Sequence, residues 1–294
     1  MNVSEGVEEK NKIGIARTVD PTPVSAIAGK LWNLHRTHSL SAFLILSLCC
    51  PLACSDPGTL NFSIAAAANT QPVMEELIDA FQSKEGIPCD LIIGSSGQLT
   101  AQIIQGGPYD LFFSADLRYP DRLTEEGLVD GAPITYALGY LVLWSLRMDK
   151  TASIESLTHT DVKHIAIANP QTAPYGRAAL QVLEHFSLLP SIQEKLVYGE
   201  SISQTNQFIM SQAADVGFTA KSVILSDRIK GKGSWMELPK ESYTSIAQGL
   251  VILRNGHHRQ TAGAFVSFVA SDEGTSILRK YGYDAPSSGE QNFN

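Results

Sequence analysis

The stretch GSSGQLTAQIIQGGPYDLFFSAD, residues 94–116, decides the fold. Its opening, Gly94-Ser95-Ser96-Gly97, is a turn with preferred capping residues at the head of an apolar-periodic segment, so a helix is expected over Gln98–Gln105. Gly107-Pro108 closes that helix, and Asp110–Ser114 then reads as a short buried strand. Another strand, Cys89–Ile93, stands in front of the turn. Strand, helix and strand at this spacing form a crossover unit, which builds a parallel sheet with a helix on its face.

The same alternation extends in both directions. Further strands are expected at Leu60–Ala66, Tyr136–Trp144, His164–Ala168, Asp215–Thr219 and Ser245–Leu253. Val73, Leu77, Ile78 and Phe81 share one face of a helix between the first strands. Other helices are expected over Arg177–Ser187, Ile202–Ser211, Arg259–Ala270 and Glu273–Tyr281. No repeat and no Pro/Gly/Ser-rich linker divides the chain, so two lobes require strands that cross between them. Tyr136–Trp144 and Ser245–Leu253 are long enough to cross. This predicts an α/β fold of two lobes: residues 59–136 with 248–284 in one, 138–246 in the other, and a frayed tail over 285–294 that lacks apolar anchors.

Ahead of the fold, Ser39–Ala53 (SLSAFLILSLCCPLA) is apolar and uncharged and follows Lys30, His35 and Arg36. A spanning helix needs about 20 such residues, so this shorter run reads as the core of a secretory signal within residues 1–55. Cleavage after Ser55 puts Ala53 and Ser55 at the small-residue positions, whereas cleavage before Cys54 leaves a lipid-anchored cysteine. Residues 1–30 are excess for a signal, which suggests a translation start near Leu31. The protein is therefore expected outside the cytoplasm, in the periplasm. Three of the four cysteines (Cys49, Cys50, Cys54) belong to this region, leaving Cys89 and no disulfide framework.

With 22 basic against 30 acidic residues and a net charge of -8, the chain offers no footprint for nucleic acid or an anionic membrane. An anionic ligand would have to be held by neutral donors. Four strand-to-helix loops supply them. Ala65-Ala66-Ala67-Ala68-Asn69-Thr70 ends in residues suited to cap a helix, and its alanines allow close approach to the backbone; read alone, it is an ordinary capped turn. Gly94-Ser95-Ser96-Gly97 offers two hydroxyls, for capping or for a ligand. Asn169-Pro170-Gln171-Thr172-Ala173-Pro174-Tyr175-Gly176 is stiffened by two prolines, and Tyr175 carries a phenolic O–H and a helix-start N–H. Arg177 reads as an exposed first-turn residue rather than a counter-charge. Tyr198-Gly199-Glu200-Ser201-Ile202-Ser203-Gln204 presents amides near Ile202, with Glu200 facing solvent. Loops at the carboxyl ends of strands form the crevice in which open α/β sheets bind ligands.

The segments IAAAANT, GSSGQLTAQIIQGGPYDLFFSAD, NPQTAPYGRAALQVLE, YGESISQ and ADVGF resemble the periplasmic molybdate-binding proteins of ABC importers, over about Leu60 to Tyr283. The resemblance implies the class II periplasmic-binding-protein fold, with molybdate or tungstate as transported ligand rather than cofactor. It further implies a monomer that serves a permease with its ATPase, and no catalysis. Carried over by motif, the ligand contacts fall on Asn69, the Ala68 amide, Ser96, Tyr175 and the Ile202 amide, with no direct metal-ion ligands. Family members commonly have a Tyr where Ala220 stands here, and the Tyr175 hydroxyl is a candidate replacement for it.

Three other readings compete. The cargo could be sulfate or another small anion, because size rather than charge separates it from molybdate. A secreted hydrolase would pair Ser96 with His164, His257 or His258, although no G-x-S-x-G elbow and no metal-ligand spacing is present. A sensor read by a signalling protein would share the same closing lobes.

Overall fold

The computed structural model describes residues 61–147 and 153–286, so the signal region and most of the tail lie outside the described residues. The first unit is β1 (Phe62–Ala67), a helical turn (Ala68–Thr70), α1 (Gln71–Glu85), β2 (Cys89–Gly94), α2 (Ser96–Ile104) and β3 (Leu111–Ser114). After α3 (Arg118–Glu125), β4 (Val129–Gly139) and β5 (Leu141–Ser145), a second unit follows. It comprises β6 (Ile165–Ala168), α4 (Pro174–His185), α5 (Leu189–Ile192), β7 (Leu196–Gly199), α6 (Ile202–Met210) and β8 (Val216–Ala220). Then come α7 (Lys221–Ile224), β9 (Ser234–Glu237), β10 (Ile246–Leu253), α8 (Arg259–Ala270) and α9 (Asp272–Lys280).

The strands form two five-stranded sheets, in the orders β2-β1-β3-β10-β4 and β7-β6-β8-β5-β9. Each has a parallel trio followed by an antiparallel neighbour, so the lobes repeat one topology although the sequence shows no repeat. The run Tyr136–Trp144 is not one strand. β4 lies in the first sheet and β5 in the second, and the chain changes sheets at Tyr140. It returns between β9 and β10 through the turn Lys240–Ser242, and β10 lies wholly in the first sheet. At these crossings the Tyr140 hydroxyl donates to Asp284, and Lys240 Nζ sits 4.1 Å from the Tyr140 ring centroid. Asp284 in turn exchanges backbone hydrogen bonds with Leu138. The two crossings and the C-terminal segment are thus tied at one hinge.

Both faces of the first sheet are covered, which is why β3 is apolar at consecutive positions. Phe113 turns toward α1 and α8 and meets Phe265 edge-on at 6.0 Å, while Phe112 turns to the other face, with Leu99 and Leu123. The second lobe buries Trp144, Phe218, Ile165, Ile167 and Val182 around its own sheet. Burying one such side chain stabilises by about 1.5–3 kcal/mol, so each lobe carries a core of its own.

Register positions the loops. β1 and β2 pair in parallel through Ala67↔Gly94, so the loops after them leave the sheet side by side. β6 and β7 pair in parallel through Ala168↔Gly199, and the same follows in the second lobe.

Candidate functional site

The loops after β1, β2, β6 and β7 meet in one small cavity between the sheets. It is lined by Ala67, Ala68, Asn69, Ser95, Ser96, Ala115, Ala173, Pro174, Tyr175 and Ile202. All five residues singled out from the sequence, Asn69, Ala68, Ser96, Tyr175 and Ile202, are therefore brought together. The cavity is small, in keeping with an ion rather than an extended solute. No lining residue carries a formal charge.

Each lining loop ends in a helix start, where the first N–H groups have no intrahelical acceptor and the macrodipole favours an anion. The caps are chosen so that some of these groups stay open. Ser95 caps α2 by accepting from Gln98 N at 3.3 Å, and Ser201 caps α6 by accepting from Gln204 N at 3.4 Å. These caps take the third amide of each helix; in α2 the Gly97 amide goes to Thr172 O, so the Ser96 amide is the one left above the cap, and in α6 the Ile202 and Ser203 amides stay above it. At α4 the cap position is Ala173, which has no side-chain acceptor, and Pro174 follows. The turn Ala68–Thr70 is likewise preceded by Ala67. Neither Asn69 nor Thr70 caps α1 through its side chain; the Thr70 hydroxyl donates back to Ala67 O at 2.7 Å.

The Ser96 hydroxyl oxygen accepts from Ala115 N at 3.0 Å, which orients it and leaves its proton available to a ligand. Asn69 is held differently. Its side-chain nitrogen donates to Gln248 Oε1 at 2.8 Å and to Tyr283 Oη at 2.9 Å, so both amide hydrogens are committed. Gln248 is itself fixed, because its nitrogen lies 3.3 Å from Ala115 O and 3.1 Å from Ile246 O. What Asn69 offers a ligand is then its backbone N–H. Burial pushes the Tyr283 hydroxyl up to about 12, so it remains a neutral donor at physiological pH.

Tyr175 is buried and its hydroxyl makes no hydrogen bond of ordinary geometry, with the Asn69 side chain as a polar neighbour. A Cβ at Gly139 would stand 2.3 Å from that oxygen, so the hydroxyl rests against the lobe crossing, a position only glycine permits. Tyr175 stands in the first turn of α4, where its backbone N–H has no intrahelical acceptor. Burial, then the neighbouring Tyr283, Tyr136 and Tyr243 hydroxyls, hold Tyr175 well above the ordinary tyrosine range. Ala220 ends β8 outside the lining, and Ser222 just beyond it donates to Asn69 O across the lobes at 2.7 Å.

Around the cavity the lobes are clasped. Gly97 N donates to Thr172 O at 2.9 Å, and the Tyr119 hydroxyl donates to Gln171 O at 3.2 Å. Arg177, expected to be exposed, instead pairs with Asp116 of the other lobe, and its guanidinium lies 5.5 Å from the Tyr119 ring centroid. Burial raises the Asp116 carboxyl, and Arg177 opposes that shift. Sequence reasoning missed Gln248, Tyr283, Ser222 and Asp116 because each meets the site only through a distant partner.

The histidines proposed for a hydrolase are not at the cavity. The His258 ring donates from Nδ1 to the Asp110 carboxylate at 3.1 Å, and that carboxylate also takes the Ser63 and His258 amides, both at 2.8 Å. Among the described residues no group of three or more His, Cys, Asp or Glu could hold a metal ion, and no helix is long and apolar enough to cross a membrane.

The profile of the bacterial extracellular solute-binding proteins matches residues 62–284. The molybdate-binding protein ModA of Rhodobacter capsulatus is 36% identical over 249 residues, covering 84% of this chain and 96% of that protein. The molybdate-binding protein ModA of Azotobacter vinelandii is 35% identical over 251 residues, covering 84% and 98%. The solved structure of the Azotobacter vinelandii periplasmic molybdate-binding protein superposes with a TM-score of 0.74 at 36% identity, covering 77% of this chain and all of that one. The relatives reported are binding proteins, not enzymes.

Proposed function

The chain belongs to the molybdate-binding family of bacterial extracellular solute-binding proteins, and from that premise we propose that it captures molybdate, and also tungstate, between its lobes and delivers it to an ABC importer. The observation that carries the reading is one uncharged cavity bounded by helix starts from both lobes. The Ala68 and Asn69 amides and the Ser96 hydroxyl hold the oxyanion from one side, and the Tyr175 and Ile202 amides from the other. Contacts to both lobes favour the closed population, which the importer's permease and ATPase then relieve of its cargo. The protein works as a monomer outside the cytoplasm, and the ion is cargo rather than cofactor.

A cradle of donors also explains selectivity. Phosphate near neutral pH keeps a proton that needs an acceptor, and a site built of N–H and O–H groups leaves that proton unpaired. Sulfate has the same charge and shape as molybdate and is smaller, so telling the two apart rests on the size of the closed cavity.

Thermal unfolding in the presence of molybdate, tungstate, sulfate or phosphate tests the reading. At a thousand times the dissociation constant a native-state ligand adds about 4 kcal/mol, a rise of roughly 8–16 °C for a chain of this size. A rise with molybdate and tungstate alone is expected. A rise with sulfate of the same size would replace molybdate by small dianions in general, and no rise with any of them would end the proposal.

A further inference from the structure

A protein of net charge -8 repels the dianion it must take up, and the cavity lining holds no charge to offset that field. Two grooves flank the cavity, and their electrostatics differ. One shares Ala68 with the cavity, has a volume of about 590 Å³, and is lined by Glu75, Glu76, Asp79 and Asp227 against Arg228. Arg228 is itself bound to Glu75 at 3.1 Å, so this flank is closed to an anion by repulsion. The other groove, about 170 Å³, shares Pro174 with the cavity, and its charged lining residues are Asp116 and Arg177.

Asp116 and Arg177 sit on opposite lobes, just beyond β3 and on α4. Besides Asp116 and the Tyr119 hydroxyl, both of the first lobe, the Arg177 guanidinium reaches only Pro170 O of its own lobe, at 3.4 Å. Separating the lobes strips Arg177 of its carboxylate. The guanidinium is then a cation at the lip of the cleft, two residues beyond the Tyr175 amide.

We infer that Arg177 is the capture residue for the incoming dianion and that Asp116 neutralises it on closure. In the open state Arg177 draws the ion in along its own flank, away from the acidic groove. As the lobes meet, Asp116 takes over the guanidinium and the ion passes to the neutral amides and the Ser96 hydroxyl. This rests on the proposed function and adds a kinetic division of labour to it. Arg177 sets how fast the ion arrives, whereas the donors that line the cavity set how long it stays.

The test is stopped-flow mixing of the purified protein with molybdate at low and high salt, for wild type, Arg177→Gln, Arg177→Lys and Asp116→Asn. Arg177→Gln should lower the association rate about tenfold at low salt and flatten its salt dependence, because steering by charge is screened by salt. Arg177→Lys, which keeps the charge and loses the fork, should keep most of the rate, and Asp116→Asn should raise it. Should Arg177→Gln fail to fold, Asp116→Asn decides: a faster, salt-sensitive association supports the inference and an unchanged one overturns it. An Arg177→Gln protein that binds at the wild-type rate and only dissociates faster would make the pair a simple latch and overturn the capture role. Wild-type protein that binds no molybdate at equilibrium would overturn the proposed function together with this inference, whereas normal wild-type binding with an unaltered Arg177→Gln association rate overturns the inference alone.

Discussion

Placing a single methyl group at position 97 should prop the lobes apart. A Cβ built on Gly97 stands 2.9 Å from Thr172 Cα and 3.0 Å from Thr172 O, both on the opposite lobe, and 2.8 Å from Tyr119 Oη. Ordinary contact begins at 3.4 Å, and Thr172 offers backbone rather than a movable side chain, so relief comes from retraction of one lobe. Overpacking of this kind costs about 1–3 kcal/mol. Retraction also stretches the Gly97 N to Thr172 O hydrogen bond, worth about 0.5–1.5 kcal/mol. Both penalties fall on the closed state. The open state gains from the better helix propensity of Ala, by about 1 kcal/mol at most. Gly97→Ala should therefore bind molybdate with a dissociation constant raised by roughly 10- to 1,500-fold, since the two penalties together come to about 1.5–4.5 kcal/mol and each 1.4 kcal/mol is tenfold, while the ligand-free protein unfolds at the wild-type temperature or above. Titration calorimetry with molybdate and scanning calorimetry without it measure the two sides. An affinity within threefold of wild type would refute the claim that binding requires the lobes to meet at Thr172, and an equal loss of ligand-free stability would show that the methyl disrupts folding instead.

Other expectations follow from the same geometry. Ser96→Ala removes a donor to a charged ligand while leaving the cap at Ser95 intact, so affinity should fall about 10- to 100-fold, and losing the acceptor of the Ala115 amide should lower ligand-free stability by about 1–3 kcal/mol, read by the same two calorimeters. Tyr175→Phe removes a buried hydroxyl that makes no hydrogen bond of ordinary geometry and keeps the backbone N–H, so affinity should hold within about twofold and the ligand-free protein should be stabilised; a large loss of affinity would mean that the hydroxyl reaches the ion. Asp110 and Asp215 titrate below the usual carboxylate range: although burial raises both, the Ser63 and His258 amides offset it at Asp110, and the His164 and Lys163 amides at Asp215. Folding thus weakens their hold on protons, and below about 3.9 the unfolded chain binds more protons than the native one. Stability should fall as pH drops from there through their lower native values, and Asp110→Asn should shrink that dependence in acid unfolding followed by circular dichroism.

The parts of the fold legible in the sequence are those with local signatures. The helix over Val73, Leu77, Ile78 and Phe81 repeats its apolar face at helical spacing, and it runs as α1 from Gln71 to Glu85. The loops of the cavity were legible for the same reason, because capping residues and small side chains at strand ends are chemistry written within a few residues. β7 and β9 were not legible. Both are four-residue edge strands with half-exposed side chains, too short for a period to show. α3 was missed because its apolar residues are few, Tyr119 and Leu123 with Pro120 between them. The break at Tyr140 is marked only by Gly139, a single glycine in a run of strand-forming residues that a continuous strand with a bulge would also tolerate.

The site shows the same division. Ser95 with Gln98 and Ser201 with Gln204 repeat one capping spacing in both lobes, and each can be read from four residues of sequence. The groups that hold Asn69 cannot be read this way, because Gln248 and Tyr283 lie 179 and 214 residues away along the chain. Arg177 was misjudged for a related reason. A first-turn arginine is ordinarily solvated, and its partner Asp116 lies on the other lobe, 61 residues distant.

The structure of the molybdate complex tests the central claim most directly. It should hold one oxyanion in the cavity between the lobes, within hydrogen-bond distance of the Ser96 hydroxyl and of the amides of Ala68 or Asn69, Tyr175 and Ile202, with no Lys or Arg in contact. An ion seated elsewhere, or one held in the closed state by the Arg177 guanidinium, would contradict it.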